Sequence, residues 1–189
     1  MLVAIIVIAI IVVLLVVLAL VFVGLNNSMI AARNRVDEAW SGIDVQLKRR
    51  HDLVPNLVET VKGYASHERE VFEKVTAARA EATKAHTPAE AAQKEGQLTA
   101  ALTDLRAVAE NYPDLRATEN FQKLQNELTE IEDEIQASRR IYNSNVQTYN
   151  TKIQVFPNSI VARMGNFTAR PFFEIEDARD REPVQVSFS

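Results

Sequence analysis

Catalysis or metal binding needs nucleophilic or ligating side chains at fixed spacing, and this chain offers three histidines and no cysteine. A di-iron helical bundle requires Glu-x-x-His, with both ligands on one helix face. The residues three positions before His51, His67 and His86 are Lys48, Tyr64 and Thr83, so the motif is absent. His67 and Glu70 share a face, as a solvated surface pair would. Without cysteine there is no thiol nucleophile and no thiolate metal site. There is no Gly-x-Ser-x-Gly elbow and no Ser-x-x-Lys pair. The five glycines stand singly, so no phosphate loop or dinucleotide fingerprint can be assembled from them. Glu130, Glu132, Asp133 and Glu134 read as a solubilising run rather than a catalytic pair held in contrasting environments. No catalytic residue, cofactor or metal is expected, and the chain reads as a non-enzyme.

Other residue groups point to contacts rather than reactions. Lys48, Arg49 and Arg50 form the strongest basic cluster. As a lipid-headgroup patch it lies too far from the apolar N-terminus, about 35 Å along a straight helix, whereas charge attraction fades within about 8 to 10 Å. A nucleic-acid role is disfavoured by a net charge of −4. Ion pairing within the domain or between copies is expected instead, with the acidic run as one partner. Tyr142-Asn143 recurs as Tyr149-Asn150, which puts both tyrosines on a heptad seam and both asparagines beside it. These residues are read either as a core edge satisfied by local hydrogen bonds or as groups that specify one assembly. Trp40 and Pro55 complete the candidate interaction residues.

The elements that carry them differ sharply along the chain. The 21 basic and 25 acidic side chains all follow residue 32, beginning at Arg33. Met1 to Val23 is wholly apolar, roughly 35 Å as a helix against a hydrocarbon thickness of about 30 Å. Its insertion should be favourable by on the order of 6 to 10 kcal/mol. With no basic leader, too long a core and no small-x-small site, it reads as an uncleaved single-pass anchor over 1–25 rather than a signal peptide. Arg33 and Arg35 follow the span closely, which places the N-terminus outside and the domain in the cytoplasm.

From Asn26 the apolar positions Met29, Val36, Trp40, Ile43, Leu47, Val54, Leu57, Val61, Tyr64, Phe72 and Val75 follow a helical period. This predicts one helix over about 26–86 that continues the anchor, with a kink at Pro55 or a full break there. Thr87-Pro88-Ala89-Glu90 is a capping box that opens a helix over 88–110. A third helix, 118–156, carries Phe121, Leu124, Leu128, Ile131, Ile135, Ser138, Tyr142, Val146, Tyr149, Ile153 and Phe156 at steps of three and four. A short helix over 159–164 closes at Gly165. The bundle thus occupies 26–165, and 166–189 is expected to be an extended, partly disordered tail. Within it, Val184 to Ser189 alternates apolar and polar residues as a frayed end or a pairing strand. The class is all-α. Whether the chain reverses at Tyr112-Pro113 or continues as a bent rod is open at this level.

The stretch Ala39-Trp40-Ser41-Gly42-Ile43-Asp44-Val45-Gln46-Leu47-Lys48-Arg49-Arg50, with Asp52-Leu53-Val54-Pro55-Asn56-Leu57-Val58, resembles the signature of the LemA family of bacterial membrane proteins. So do Val61-Lys62-Gly63-Tyr64-Ala65, Ala109-Glu110-Asn111-Tyr112-Pro113 and the two Tyr-Asn pairs. The resemblance runs from the anchor to about Phe173. Two small departures fall at segment ends: Leu25-Asn26 where an aromatic-Asn pair is expected, and Gly165-Asn166-Phe167 where Gly and Phe adjoin. The resemblance implies a single N-terminal anchor, an antiparallel up-and-down cytoplasmic bundle of long coiled-coil-like helices, and no established enzymatic activity.

Two functional readings follow. In the first, anchored copies self-associate into a scaffold, because a third helix of about 38 residues faces a second of only about 23 and leaves part of its seam without a partner of equal length. The expected partners are then the lipid bilayer and further copies of the same chain, with no nucleic acid. In the second, the domain is an adaptor for another membrane protein, such as a protease or envelope-stress component, using a groove near Pro55.

Overall fold

The structure, a computed structural model, describes residues 1–174; the alternating stretch Val184 to Ser189 lies outside them. Among the described residues six helices follow one another: α1 (Leu2–Lys62), α2 (Arg69–Ala82), α3 (Pro88–Glu110), α4 (Pro113–Arg116), α5 (Glu119–Gln154) and α6 (Asn158–Met164). There is no strand among the described residues. The all-α class follows from the apolar spacing and from how rarely a helix breaker interrupts it.

The helix expected over 26–86 is two helices. α1 is unbroken through Pro55, so no break occurs at the proline, and it ends instead at Lys62. Beyond Gly63, Tyr64 N and Ala65 N both donate to Val61 O, at 3.0 and 2.9 Å, and turn the chain out of the helix. The periodic stripe hides this turn for a physical reason. From Val61 to Phe72 is about three helical turns, so the apolar phase is the same on both sides. Tyr64, counted in the stripe, is exposed, and Ala65 is buried in its place.

The chain divides into two compact units. The first comprises Met1–Ala39 and Asn143–Arg170. Its leading helix is long and apolar enough to cross a membrane and buries none of that surface within the protein. In the same unit Asn145 Nδ2 donates to Arg35 O at 3.3 Å, and Lys152 Nζ to Ser28 O at 3.4 Å. Moving one heptad down α1 thus moves one heptad up α5, and the two helices run antiparallel. A small core joins Met29 to Val161 and Ala162 of α6, with Leu25, Ile153 and Phe167 packed against it.

At this end the expected boundaries shift. α5 stops at Gln154, two residues earlier than expected, because the residue before Pro157 is held out of helical geometry. Phe156, expected as the last seam residue, is therefore 80% exposed. Gly165 is the C-cap of α6, as expected, and the left-handed residue that follows it is Asn166, at φ 52°. Gly165 serves another need: a Cβ there would meet the Phe167 ring at 2.6 Å.

The second unit comprises Trp40–Tyr142 and the described part of Pro171–Ser189. α2 and α3 form an antiparallel hairpin, with Lys74 paired to Asp104 at 2.5 Å and Lys94 to Glu81 at 3.4 Å. Both pairs are exposed and set register more than stability. α3 opens on the expected capping box: Thr87 Oγ1 accepts from Glu90 N and Glu90 Oε2 from His86 N, each at 3.2 Å. The contact with His86 N holds the Glu90 carboxyl below its ordinary range.

The chain reverses at Tyr112-Pro113. Arg50 feels both Glu95 of α3 and Glu132 of α5. In one continuous rod those carboxylates would stand roughly 55 Å apart, beyond the reach of a single guanidinium. Leu115, fully buried, pins the turn between them. α5 lies against α1 here too, with Asn120 Nδ2 reaching Thr60 Oγ1 at 3.5 Å and Tyr142 beside Trp40.

Candidate functional site

Two polar constellations stand out, one in the core of the second unit and one along the C-terminal half of α5. Lys48, Arg49 and Arg50 are consecutive on α1, and consecutive helical residues point about 100° apart. Lys48 and Arg49 face solvent, and Arg49 Nη1 donates only to Gln46 Oε1 one turn back, at 3.1 Å. Arg50 points inward and is 2% exposed. Its Nη1 donates to Glu95 Oε2 at 3.2 Å and its Nη2 to Thr99 Oγ1 at 2.7 Å. Arg50 Nε is buried without a hydrogen-bond partner. Burial pulls the guanidinium below its ordinary pKa, against the opposing pull of Glu95 and Glu132. An arginine stays charged regardless, so this is a buried ion pair.

Glu95 is 1% exposed and uses both oxygens. Its Oε1 meets His51 Nε2 at 2.5 Å. Arg50 and His51 thus share the one carboxyl, each on its own oxygen. The backbone of His51 takes part as well. Pro55 has no N–H, which leaves the His51 carbonyl without its helical donor. Arg79 Nε of α2 donates to that carbonyl at 2.6 Å. The proline therefore opens an acceptor on α1 that docks α2, while the side chain one turn away engages α3. Pro55 itself is exposed.

This arrangement predicts a coupling. Arg79→Ala should destabilise the bundle by about 1 to 3 kcal/mol, the cost of an orphaned carbonyl. In a Pro55→Ala background the backbone N–H gained at position 55 satisfies that carbonyl, and the same change should cost much less. A double-mutant cycle by urea denaturation measures the difference, and additive effects would refute the link.

The second constellation binds the chain's own C-terminal segment. In the first unit Tyr149 Oη donates to Thr168 O at 2.9 Å. Asn150 brackets Arg170, donating from Nδ2 to its carbonyl at 2.9 Å and accepting its N–H at 2.8 Å. Arg170 also pairs with Asp37 at 3.1 Å. Burial raises the Tyr149 phenol above its ordinary pKa, which keeps it a donor. In the second unit Tyr142 Oη donates to Pro171 O at 2.9 Å. Trp40, half-buried, meets Tyr142 edge-on at 5.7 Å and Phe173 at 5.5 Å. Asn143 lies beside Tyr142, half-buried and with interactions of its own. Tyr149 and Asn150 thus hold residues 168 to 170 within the first unit, and Tyr142 holds Pro171 within the second.

His51, Glu95, Thr99 and Arg79 were not among the sequence candidates, yet the spacing carried a signal for Glu95. Ala91, Glu95, Leu98, Leu102, Leu105 and Ala109 step by four and three, which puts a carboxylate on a buried seam. Arg50 and His51 likewise fill the gap between Leu47 and Val54 on α1.

An apolar lead helix running without a linker into an all-helical bundle, braced by a buried ion pair, defines the class as membrane-anchor-type helical bundles. Residues 39–188 match the LemA family, and the chain belongs to it. Protein LemA of Metamycoplasma hominis is 28% identical over 144 residues, covering 76% of this chain and 66% of that protein. Magnetosome protein MamQ 2 of Paramagnetospirillum magneticum is 24% identical over 180 residues, and magnetosome protein MamQ of Magnetospirillum gryphiswaldense 23%, each match covering 82% of this chain. The chain spans 66%, just under two thirds, of the length of each of these relatives.

Proposed function

We propose that this LemA-family chain is a non-enzymatic structural protein, held by one pass in the plasma membrane with its N-terminus outside, and that its cytoplasmic helical domain assembles with further copies into a scaffold. The observation that carries the reading is the continuity of α1, in which one unbroken helix supplies both the span and a wall of the bundle. A domain that must search for substrates or distant partners is served better by a flexible linker. The buried brace points the same way. Glu95, the carboxylate with the most unusual surroundings, has both oxygens engaged by Arg50 and His51 and none directed at a ligand. The likeness to proteins named for the magnetosome agrees with a part in a larger assembly.

The unequal helix lengths do not support assembly. In each unit α5 lies against α1 of the same chain, so the length mismatch with α3 does not leave it without a partner and carries no argument for assembly. Support comes instead from tethering, since anchored copies meet at high local concentration. Crosslinking in intact cells followed by mass spectrometry tests the proposal. Self-crosslinks between copies are expected. A single dominant foreign protein would favour the adaptor reading, and a monomer in mild detergent with no self-crosslinks would defeat the scaffold.

A further inference from the structure

Large apolar side chains cluster on one exposed corner of the first unit, where α5 turns into α6. Phe156 is 80% exposed, Ile160 54% and Met164 67%. Ile160 and Met164 are one turn apart on α6 and share a face, and Phe156 stands in the turn that leads into it. The opposite face of α6 is the one that packs, through Val161 and Ala162, on Met29 of α1. Scattered exposed hydrophobics need no explanation, but three on one corner of a short helix do.

The register of α1 against α5 gives the corner its level. Lys152 contacts Ser28, and Asn145 contacts Arg35 one heptad further on. The same register sets Gln154, the last residue of α5, level with Asn26, just past the end of the apolar run, and Phe156 stands in the turn that follows. Leu25, the next residue, packs against the core that α6 shares with Met29. α6 therefore packs against the stretch of α1 that directly follows the apolar run, and its other face is unburied.

The charges agree. Between Asn143 and Arg170, the α5–α6 part of the first unit, stand Lys152, Arg163 and Arg170, and no acid. On α1 the first acid is Asp37, preceded by Arg33 and Arg35. Arg33 lies over the Phe167 ring at 5.5 Å, within the same small core. Apolar side chains beside arginine and lysine, at the end of a membrane span, form the composition of an interfacial helix on anionic lipid.

We infer that α6 and the turn before it form a second membrane contact, with Phe156, Ile160 and Met164 inserted at the headgroup boundary of the leaflet that the anchor enters. The inference rests on α1 being a membrane anchor. The two can be tested separately because the chain has no cysteine, so each introduced thiol is unique. Phe156→Cys, Ile160→Cys and Met164→Cys, each labelled with an environment-sensitive fluorophore, would be reconstituted as full chains in phosphatidylcholine–phosphatidylglycerol vesicles. Val12→Cys would report the span, and Asn126→Cys, exposed on α5, would report water. The three corner labels should show blue-shifted emission, quenched more by lipid nitroxides near the headgroup than by those at the bilayer centre. The reverse order is expected at position 12, and no lipid quenching at position 126. Quenching at position 12 with water-like emission at 156, 160 and 164 would overturn the interfacial contact and leave the anchor standing. Loss of quenching at position 12 would overturn the anchor, and the inference with it. Blue-shifted corner labels that no lipid nitroxide reaches would show another protein chain on that face and overturn the lipid assignment.

Discussion

Glu95→Leu should destabilise the helical domain by about 3 to 5 kcal/mol, because it leaves the Arg50 guanidinium buried without its counter-ion. Arg50 is 2% exposed and its direct partners are Glu95 and Thr99, so no rotation short of unfolding returns the charge to water. Against a typical domain stability of about 5 to 15 kcal/mol, a loss of this size removes most of the margin. The paired replacement Arg50→Met with Glu95→Leu removes both charges together. It should restore stability to within about 1 to 2 kcal/mol of the parent, since a buried ion pair gains little over apolar side chains of similar volume. His51 keeps part of its ring at the surface and can turn Nε2 toward water. Chemical denaturation followed by helical circular dichroism measures all three proteins. A Glu95→Leu variant as stable as the parent would show that the brace does not hold the bundle.

Tyr142→Ala should cost about 3 to 5 kcal/mol, the range for deleting a large buried aromatic side chain. Tyr142 is 1% exposed and packs edge-on against Trp40. Tyr142→Phe removes only the hydroxyl that holds Pro171 O and should cost about 0.5 to 1.5 kcal/mol. The gap between the two variants separates aromatic packing from the hydrogen bond to the C-terminal segment. Trp40 is the sole tryptophan, so its fluorescence reports this cluster alone. Its emission should shift to the red in the alanine variant and stay near the parent value in the phenylalanine one. Equal losses of stability in both would show that the hydroxyl, and not the ring, carries the contact.

Local features were legible in the amino-acid order because their causes are local. A run of aliphatic residues reads as a span by length alone. Thr87-Pro88-Ala89-Glu90 reads as a helix start because its hydrogen bonds close within four residues. The seam of α5 reads as a buried stripe through steps of three and four, and from Phe121 to Tyr149 its apolar positions are buried. The turn at Gly63 was hidden because it preserves helical phase. The role of Pro55 was half visible: its missing N–H and the affected His51 carbonyl follow from covalent structure. That Arg79 supplies the replacement donor depends on a helix 24 residues further along.

The chain's residue order alone therefore determined an all-helical protein with an apolar lead segment, and the LemA signature that agrees with it. Tertiary structure decided which helix lies against which. Within each unit α5 lies against α1, and one of three adjacent basic residues turns inward to meet a carboxylate on another helix. Tyr149 and Asn150 in the first unit, and Tyr142 in the second, hold backbone further along the same chain. Periodicity specifies which face of a helix is buried; what covers that face depends on loop reversals and long-range partners, which carry no local signal.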